Sequence, residues 1–443
     1  MKKLKLFNLA WPIFIETALF MLLGFIDVFV LSKYDDLAAS SVNTANQAVS
    51  IVTIVFSVIS GASAVLISQY LGAEYKKGAS RIAALSITFN LLFGIIISAV
   101  VVMFNKQILS FIGAKGDLLE FAGQYLSVVG GFLFLQAILN AMAVIIRNHG
   151  ITQVSMYVTV GMNIVNTVLD VVFVLGLFGA PKMGVMGVAI ATTFSRVLGT
   201  IVLAIVLFTK VEKISIFKLL KPFPWGDVKN IIKIGVPSAL ESFMYNLSQL
   251  VVTSIVLNCL TEAELVAKTY VQNITMFFYI FAVSIGQAAQ ILTGHLVGAN
   301  KLDEAYKQGF RAYRNAFIIA MATSVLGIIL RMQLMSIFTT DQNVIEMGAN
   351  ILIINIILEM GRTTNLVVIA CMRGAGDVVF PTVCAIFSMW VISTLGAYIF
   401  AVVFGMGIYG LWIAFAADEC VRGILMIWRW KSGKWRTKRF AAE

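Results

Sequence analysis

A few polar side chains stand inside long apolar runs, where they could bind a small cation or a proton. Asp27 lies in the first run, and Asn163, Asn166 and Asp170 lie in the fifth. The i, i+3, i+7 spacing of the last three places them on one helix face. Carboxylate and amide oxygens are the ligands of hard cations, and neighbouring buried carboxylates share protons. The pattern therefore predicts a site for Na⁺ or H⁺, with a purely structural hydrogen-bond network as the alternative.

The second half of the chain carries a different polar set. Glu241 lies in the seventh apolar run, while Glu359, Arg362 and Asn365 lie on one face of the tenth. At a rise of 1.5 Å per residue, Glu241 and Arg362 each lie roughly 15 Å from the same end of their helices. We therefore expect these two side chains to face each other, either as an ion pair that braces the helices or in substrate binding or proton relay.

The sequence contains no pattern typical of an enzyme. It has no HExxH, paired-aspartate metal motif, Ser–Lys dyad or phosphate-binding loop. The four cysteines lack metal-binding spacing, and the two histidines, His149 and His295, each lie next to a turn. We therefore predict no catalytic residue, no cofactor and no histidine-based or cysteine-based metal site.

Membrane-spanning helices must position these polar residues. The 443 residues are 60% hydrophobic and 12% charged, whereas soluble proteins carry about 25% charged residues. This composition excludes a secreted enzyme, a nucleic-acid-binding domain and a disordered chain. Apolar runs long enough to cross a bilayer lie near residues 7–32, 43–71, 83–105, 119–146, 153–179, 184–209, 231–259, 268–296, 312–335, 347–372, 381–404 and 407–430. We predict an all-α polytopic membrane protein with twelve transmembrane helices.

Lysines and arginines are distributed unequally between alternate loops. The loops on the side of the N-terminus carry 24 of the 33, including Lys2 and Lys3; the opposite loops carry 6, including Lys33, and 3 lie within spans. Cytoplasmic loops are enriched in positive charge. We therefore predict a multi-pass plasma-membrane protein with both termini in the cytoplasm. The same rule explains the net charge of +11 without a nucleic-acid partner.

The chain repeats itself with an offset near 226 residues. The matched positions include Pro12 with Pro237, Glu16 with Glu241, and Arg147 with Arg373. Because six helices per half is an even number, both halves enter the membrane in the same direction. This predicts two six-helix lobes related by a pseudo-two-fold axis along the membrane normal. We expect an N-terminal lobe at residues 1–209, a cytoplasmic linker at 210–228 and a C-terminal lobe at 229–443.

The repeat does not extend to the aspartates of the first half. The positions that match Asp27 and Asp170 are Val252 and about Gly396. We therefore expect the carboxylate site in the first lobe only.

In their order along the chain, the motifs resemble the multidrug and toxic compound extrusion (MATE) family of the MOP superfamily. They are Pro12 with Asp27, the QYLGA segment at 69–73, Arg147 with Gly150, the NTVLD segment at 166–170, 184–192, the IGVP segment at 234–237, Gly298 with Ala299, and the RGAGD segment at 373–377. The resemblance implies a secondary active antiporter for multidrug efflux. Such a protein exports organic, cationic or amphipathic compounds in exchange for H⁺ or Na⁺ by alternating access.

The resemblance also assigns roles to residues. In the family, an aspartate in helix 1 and an Asn-x-x-x-Asp pair in helix 5 form the cation or proton site, which corresponds here to Asp27, Asn166 and Asp170. A threonine of helix 6, which we place at Thr192, joins them. One subgroup uses carboxylates in helices 7 and 10 where this chain has Tyr245 and Arg362, and the chain resembles the prokaryotic DinF type more than the NorM type. Cation binding is expected to reshape helix 1, which Pro12 and Gly24 make easier to bend.

Two other transport functions stay open. A lipid-linked precursor or polysaccharide flippase of the same superfamily tends to have fourteen spans or a strongly basic cavity, whereas only Arg196, Arg362 and Arg422 lie within spans here. A channel fits less well than a carrier, because buried carboxylates beside a lobe interface suit a binding-and-release cycle. We expect a monomer whose partners are the lipid bilayer and a small organic substrate.

Overall fold

The computed structural model describes residues 4–32 and 35–440, without the side chains of 23–25. Lys2, Lys3 and Lys33, which contribute to the charge asymmetry, lie outside the described residues. Gly24, where helix 1 is predicted to bend easily, falls among the residues whose surroundings are not described.

We number the long helices α1 to α12 in chain order and count an interrupted helix once. The first half contains α1 (Leu6–Ser32), α2 (Asp36–Gly72), α3 (Lys76–Met103), α4 (Gly116–Gly131 and Leu133–Asn148), α5 (Thr152–Leu175) and α6 (Gly184–Val206). The second half contains α7 (Trp225–Cys259), α8 (Glu262–Gly298), α9 (Leu302–Ile329), α10 (Gln342–Ala375), α11 (Val379–Val403) and α12 (Gly407–Lys431). Shorter helical segments follow α3, α6, α9 and α12, at Asn105–Ile112, Leu207–Val211, Ile214–Leu220, Arg331–Ser336 and Lys434–Thr437.

The helices have the length and apolarity of membrane spans. Among the residues that the structure describes, ten helices pass this test, and the two parts of α4, which meet at 48° after Gly130 and Gly131, form an eleventh span. The remaining helix, α12, is 25 residues long but carries Asp418, Glu419 and Arg422 near its middle. The predicted all-α, multi-pass membrane fold is confirmed over the described part of the chain, and each predicted span corresponds to one of these helices.

The chain divides into two compact units. The first contains residues 11–71 and 75–235, and the second contains 4–10, 72–74 and 236–440. The predicted linker, 210–228, lies within the first unit, where its helical turn Ile214–Leu220 packs against α3. Each unit has its own core of buried aliphatic and small side chains.

A glycine-rich turn brings α5 and α6 side by side. Gly176 ends α5 at a φ of 70°, a left-handed conformation that favours glycine, and Gly184 begins α6 at a φ of 51°. One turn into α6, a Cβ added at Gly187 would lie 2.8 Å from the Cβ of Phe173 on α5. The two helices can pack this closely only because position 187 has no side chain, and their polar faces therefore lie within hydrogen-bonding reach.

Candidate functional site

Asp27, Asn166 and Asp170 come together in the interior of the first unit. Their side chains lie on α1 and α5, and the residues are 4%, 0% and 0% exposed, respectively. Asn166 and Asp170 are one helical turn apart, so they present adjacent polar groups to α1. The polar residues selected from the first and fifth apolar runs thus form one buried cluster, which we call the aspartate cluster: Asp27, Asn166, Asp170 and Thr192.

Asn166 connects the members of the aspartate cluster. In the amide orientation that satisfies its neighbours, its nitrogen donates to Asp27 Oδ1 and to Asp170 Oδ2, each at 3.1 Å. Its oxygen accepts from the backbone N–H of Thr192 at 3.2 Å and lies 3.4 Å from the Thr192 hydroxyl oxygen. One side chain therefore joins α1, α5 and α6.

The two carboxyl groups lie close to each other. The Asn166 amide nitrogen is 3.1 Å from one oxygen of Asp27 and 3.1 Å from one oxygen of Asp170, and buried carboxyl groups that lie this close favour sharing a proton. The second oxygen of Asp170, Oδ1, has no hydrogen-bond partner among the described residues. The cluster therefore places two buried carboxyl groups on one shared amide donor.

Asn163 lies on the same helix face but does not bond to the aspartate cluster. Its amide nitrogen donates to the Thr159 carbonyl of its own helix at 2.8 Å, and its Oδ1 has no partner among the described residues. No group of three or more His, Cys, Asp or Glu side chains suited to a metal ion occurs in the described ranges.

Arg196 and Tyr125 complete the surroundings of the aspartate cluster, and sequence reasoning did not select them. The half-buried Arg196 lies one turn after Thr192 on α6 and interacts electrostatically with Asp27. Tyr125, 1% exposed, donates to Asn46 Oδ1 at 3.1 Å and interacts with both aspartates. The i+4 spacing from Thr192 is a signal that could have identified Arg196, whereas no pattern marks Tyr125.

In the second unit, Glu241 does not pair with Arg362, so that prediction was wrong. Glu241 Oε2 instead accepts from Arg373 at 2.8 Å and from the Thr382 hydroxyl at 3.0 Å. The Arg373 side chain is long enough to reach from the end of α10 to a carboxylate deeper in α7. The prediction compared only the depths of the Cα atoms and therefore missed this partner.

The same ion pair occurs in both repeats. Glu16 on α1 lies 3.4 Å from Arg147 at the end of α4, and Glu241 and Arg373 are the matched residues of the second half. We call these two ion pairs the repeated braces, because each ties the first helix of a half to the fourth. Because the ion pair recurs in both halves, a structural role in the six-helix fold is enough to explain it, and no role in ion transport is required.

Arg362 belongs to a separate charged network that joins α10 to α12. It pairs with Glu359 on its own helix at 2.7 Å, and its Nε lies 4.0 Å from Glu419. Asn365 donates to the Glu419 side chain at 2.7 Å, and Arg422 pairs with Glu419 at 3.0 Å. All four second-half candidates are therefore placed, with Glu241 in a brace and Glu359, Arg362 and Asn365 in this network.

The charged network borders a cavity of about 70 Å³ inside the second unit. Arg362, Asp418, Glu419 and Arg422 line it, together with aromatic and hydroxyl side chains of α7, α11 and α12. Asp418 also accepts from Ser388 on α11. Its two arginines and two carboxylates balance in charge, so the cavity offers no excess charge to a lone ion.

Comparison with known proteins identifies relatives along the whole chain. The family model described as MatE matches residues 12–172 and 237–399. The "Uncharacterized transporter YisQ" of Bacillus subtilis (strain 168) is 40% identical over 441 residues, covering 99% of this chain and 96% of the relative. The "Probable multidrug resistance protein NorM" of Thermotoga maritima is 28% identical, covering 98% and 93%.

Solved structures share the fold. A crystal structure of MATE in the bent conformation superposes with a TM-score of 0.89 at 22% identity, covering 96% of this chain and 94% of that one. An outward-facing multidrug resistance MATE transporter of the MOP superfamily gives 0.88 at 22% identity, with the same coverage. The two matched segments of the family model fall in the two halves of the internal repeat.

Proposed function

Since the chain belongs to the MatE family, we propose that it is a secondary active exporter that couples the efflux of organic, cationic or amphipathic compounds to the entry of protons. The relatives named as multidrug resistance proteins support the export of drug-like compounds. The aspartate cluster supports the coupling: two buried carboxyl groups contact the same amide nitrogen, and two such groups favour holding one proton between them. The neighbouring Asn166 presents N–H to both, and a sodium ion would instead require its oxygen.

Proton release would change the energy of the site in favour of a conformational change. Without a proton, the two carboxylate oxygens that contact the Asn166 nitrogen are at most about 6 Å apart and repel by about 3 kcal/mol or more at an effective dielectric constant of 20. Inverting a two-state equilibrium from 1:99 to 99:1 takes about 5.5 kcal/mol. The repulsion between Asp27 and Asp170 would therefore supply about half or more of the free energy needed to shift the carrier between two states when the proton leaves.

The coupling needs no direct contact between proton and substrate. It requires only that the proton and the organic compound favour different states of the carrier. In the proposed cycle, a proton entering from outside neutralises one of the two aspartates, and its release on the cytoplasmic side is linked to the return of the carrier. Pro12 lies within α1, between its start and Asp27, where it gives the helix a place to bend.

Transport in reconstituted vesicles tests the proposal. Efflux of a panel of fluorescent organic cations is measured under separately imposed proton and sodium gradients. The variants are Asp27→Asn and Asp170→Asn, which keep the shape and resemble the protonated acid, with Asp36→Asn at the exposed start of α2 as control. We expect both site variants to lose gradient-driven efflux while retaining gradient-independent exchange of substrate, and the control to behave as wild type.

Three results would contradict the proposal. Full gradient-driven efflux by site variants with unchanged thermal stability would remove the role of the aspartates. Efflux driven by a sodium gradient alone, with the proton gradient collapsed, would assign the site to Na⁺. Movement of lipid-linked sugars with no movement of any dye would favour the flippase alternative.

A further inference from the structure

The segment between α6 and α7 carries a surface that is both basic and apolar. Its exposed residues are Lys210, Lys213, Ile214, Phe217, Lys218, Lys221, Phe223 and Trp225, which we call the linker surface. Ile214 and Trp225 are 70% and 73% exposed. The segment is nevertheless packed against the protein, because Ile216, in the same helical turn, is 4% exposed and anchors it against α3. The exposed side chains therefore form the outer face of an ordered segment.

The linker surface lies beside the bilayer because a candidate membrane span flanks it on each side. The candidate span Gly184–Val211 ends where it begins, and the candidate span Trp225–Cys259 starts where it ends. A chain of about a dozen residues tethered at both ends by spans cannot leave the boundary between lipid and water. Aromatic side chains favour this boundary, and lysines beside them reach the head groups.

The lysines of the linker surface lack internal partners. The two acidic residues of this region, Glu212 and Asp227, have side chains that are 8% and 5% exposed and bind elsewhere: Glu212 to Ser80 at 2.7 Å and His149 at 3.6 Å, and Asp227 to Arg81 and Tyr70. Among residues 4–32 and 35–440, Lys210, Lys213, Lys218 and Lys221 have no carboxylate within 4 Å. Four unneutralised positive charges therefore stand beside exposed aromatic rings.

We propose that the linker surface is a binding site for anionic phospholipid, with the lysines on the head groups and with Phe223 and Trp225 at the level of the upper acyl chains. The two rings pack edge to face, with centroids 4.8 Å apart, and form one apolar unit. Charge complementarity selects an anionic over a zwitterionic lipid, and the interaction weakens with salt. The proposal is independent of the transported substrate and of the coupling ion.

Quenching of Trp225 fluorescence by brominated lipids tests the site in the full-length protein. The signal of Trp225 is obtained as the difference between wild type and Trp225→Phe in vesicles that contain equal fractions of brominated phosphatidylglycerol or brominated phosphatidylcholine. We expect stronger quenching by the anionic lipid. Because each lysine near an anionic surface changes binding by about fivefold, replacing the four linker lysines by glutamine should lower the relative affinity for phosphatidylglycerol at least fivefold.

Two matched variants separate a specific site from general surface charge. The four linker lysines changed to arginine keep the charge and should retain the preference. Glutamine at Lys76, Lys77, Lys301 and Lys307, which are also exposed lysines beside helix ends, removes the same charge elsewhere and should leave the quenching of Trp225 unchanged. Equal losses in the linker variant and this control would overturn the proposal, as would a signal of Trp225 that neither brominated lipid quenches. Cross-linking of the linker between two copies, with no lipid preference, would assign the surface to self-association instead.

Discussion

The repeated braces allow a test of how distance and burial set the strength of an ion pair within one membrane protein. The perturbations are Glu241→Gln, Arg373→Gln and the double variant, with the matched series at Glu16 and Arg147. The N–O distances are 2.8 Å in the second brace and 3.4 Å in the first. At an effective dielectric constant of 20, the gross attractions are about 5.9 and 4.9 kcal/mol. Distance alone therefore favours the second brace by about 1 kcal/mol.

Burial differs little between the two glutamates. The side chains of Glu16 and Arg147 are 16% and 17% exposed, whereas those of Glu241 and Arg373 are 19% and 30% exposed. A double-mutant cycle cancels the desolvation of each single ion, so the coupling energy reports the attraction within the pair, which distance favours in the second brace. After screening by solvent, we expect coupling energies of about 1–2 kcal/mol for Glu241 with Arg373 and below about 1 kcal/mol for Glu16 with Arg147.

Double-mutant cycles measured by SDS-induced unfolding in mixed micelles provide the coupling energies. Lys301 and Glu304 serve as control, because their N–O distance is also 3.4 Å but their side chains are 56% and 59% exposed. This pair should give less than about 0.5 kcal/mol. The reasoning is refuted if the first brace couples more strongly than the second, or if neither exceeds the exposed control. Thr382→Val, measured separately, removes the additional hydroxyl donor to Glu241.

Three further predictions concern packing, pH and the aspartate cluster. Gly374→Ala should destabilise the protein by about 1–3 kcal/mol, because the added Cβ would lie 2.5 Å from a backbone oxygen of α8. Gly161→Ala should instead stabilise it by about 0.5–1 kcal/mol, because no atom lies within 4 Å of the added Cβ. Thermal unfolding shows whether each variant is less or more stable than wild type. Burial lowers the pKa of His149 despite the attraction of Glu212, so protonation favours the unfolded chain and stability should fall as pH drops below about 6.5. His149→Gln should therefore show a smaller decrease in melting temperature between pH 7.5 and 5.5 than wild type. Asn166→Leu removes two hydrogen bonds to carboxyl groups and should cost on the order of 2–4 kcal/mol of stability. It should also abolish proton-driven efflux in vesicles. Unimpaired efflux would show that the contacts of Asn166 with the two aspartates are dispensable.

The aspartate cluster could be predicted because its geometry follows from helix periodicity. Asn166 and Asp170 are one turn apart on α5, so the only further condition was that α1 passes beside this face of α5 near Asp27. The bridging role of Asn166 and the approach of Arg196 could not be read from spacing, since both depend on the crossing of α5 and α6. That crossing is set by contacts such as the missing side chain at Gly187.

The partner of Glu241 shows where depth along a helix is a poor guide. Depth selected Arg362, whereas the structure selects Arg373, whose side chain extends from the end of α10. The internal repeat contained the better signal, because the offset of 226 residues maps Glu16 and Arg147 onto Glu241 and Arg373. Two charged residues that recur together in both halves are more informative about pairing than two that lie at similar depth in one half.

The difference between the two halves separates what the fold needs from what the proposed coupling needs. The repeated braces tie the first and fourth helices of each half and persist in both, as expected of a contact that every six-helix unit requires. The aspartate cluster has no counterpart, since Val252 occupies the position of Asp27 and is fully buried in an apolar core. A carboxylate at that position would lie among aliphatic side chains at a cost of several kcal/mol, so the second half could not bind a proton there without rebuilding its interior. Under the proposed function, protonation at one site of a duplicated fold would act on the first half only, and the carrier would be coupled if the protonated first half favoured a different state from the substrate-loaded one.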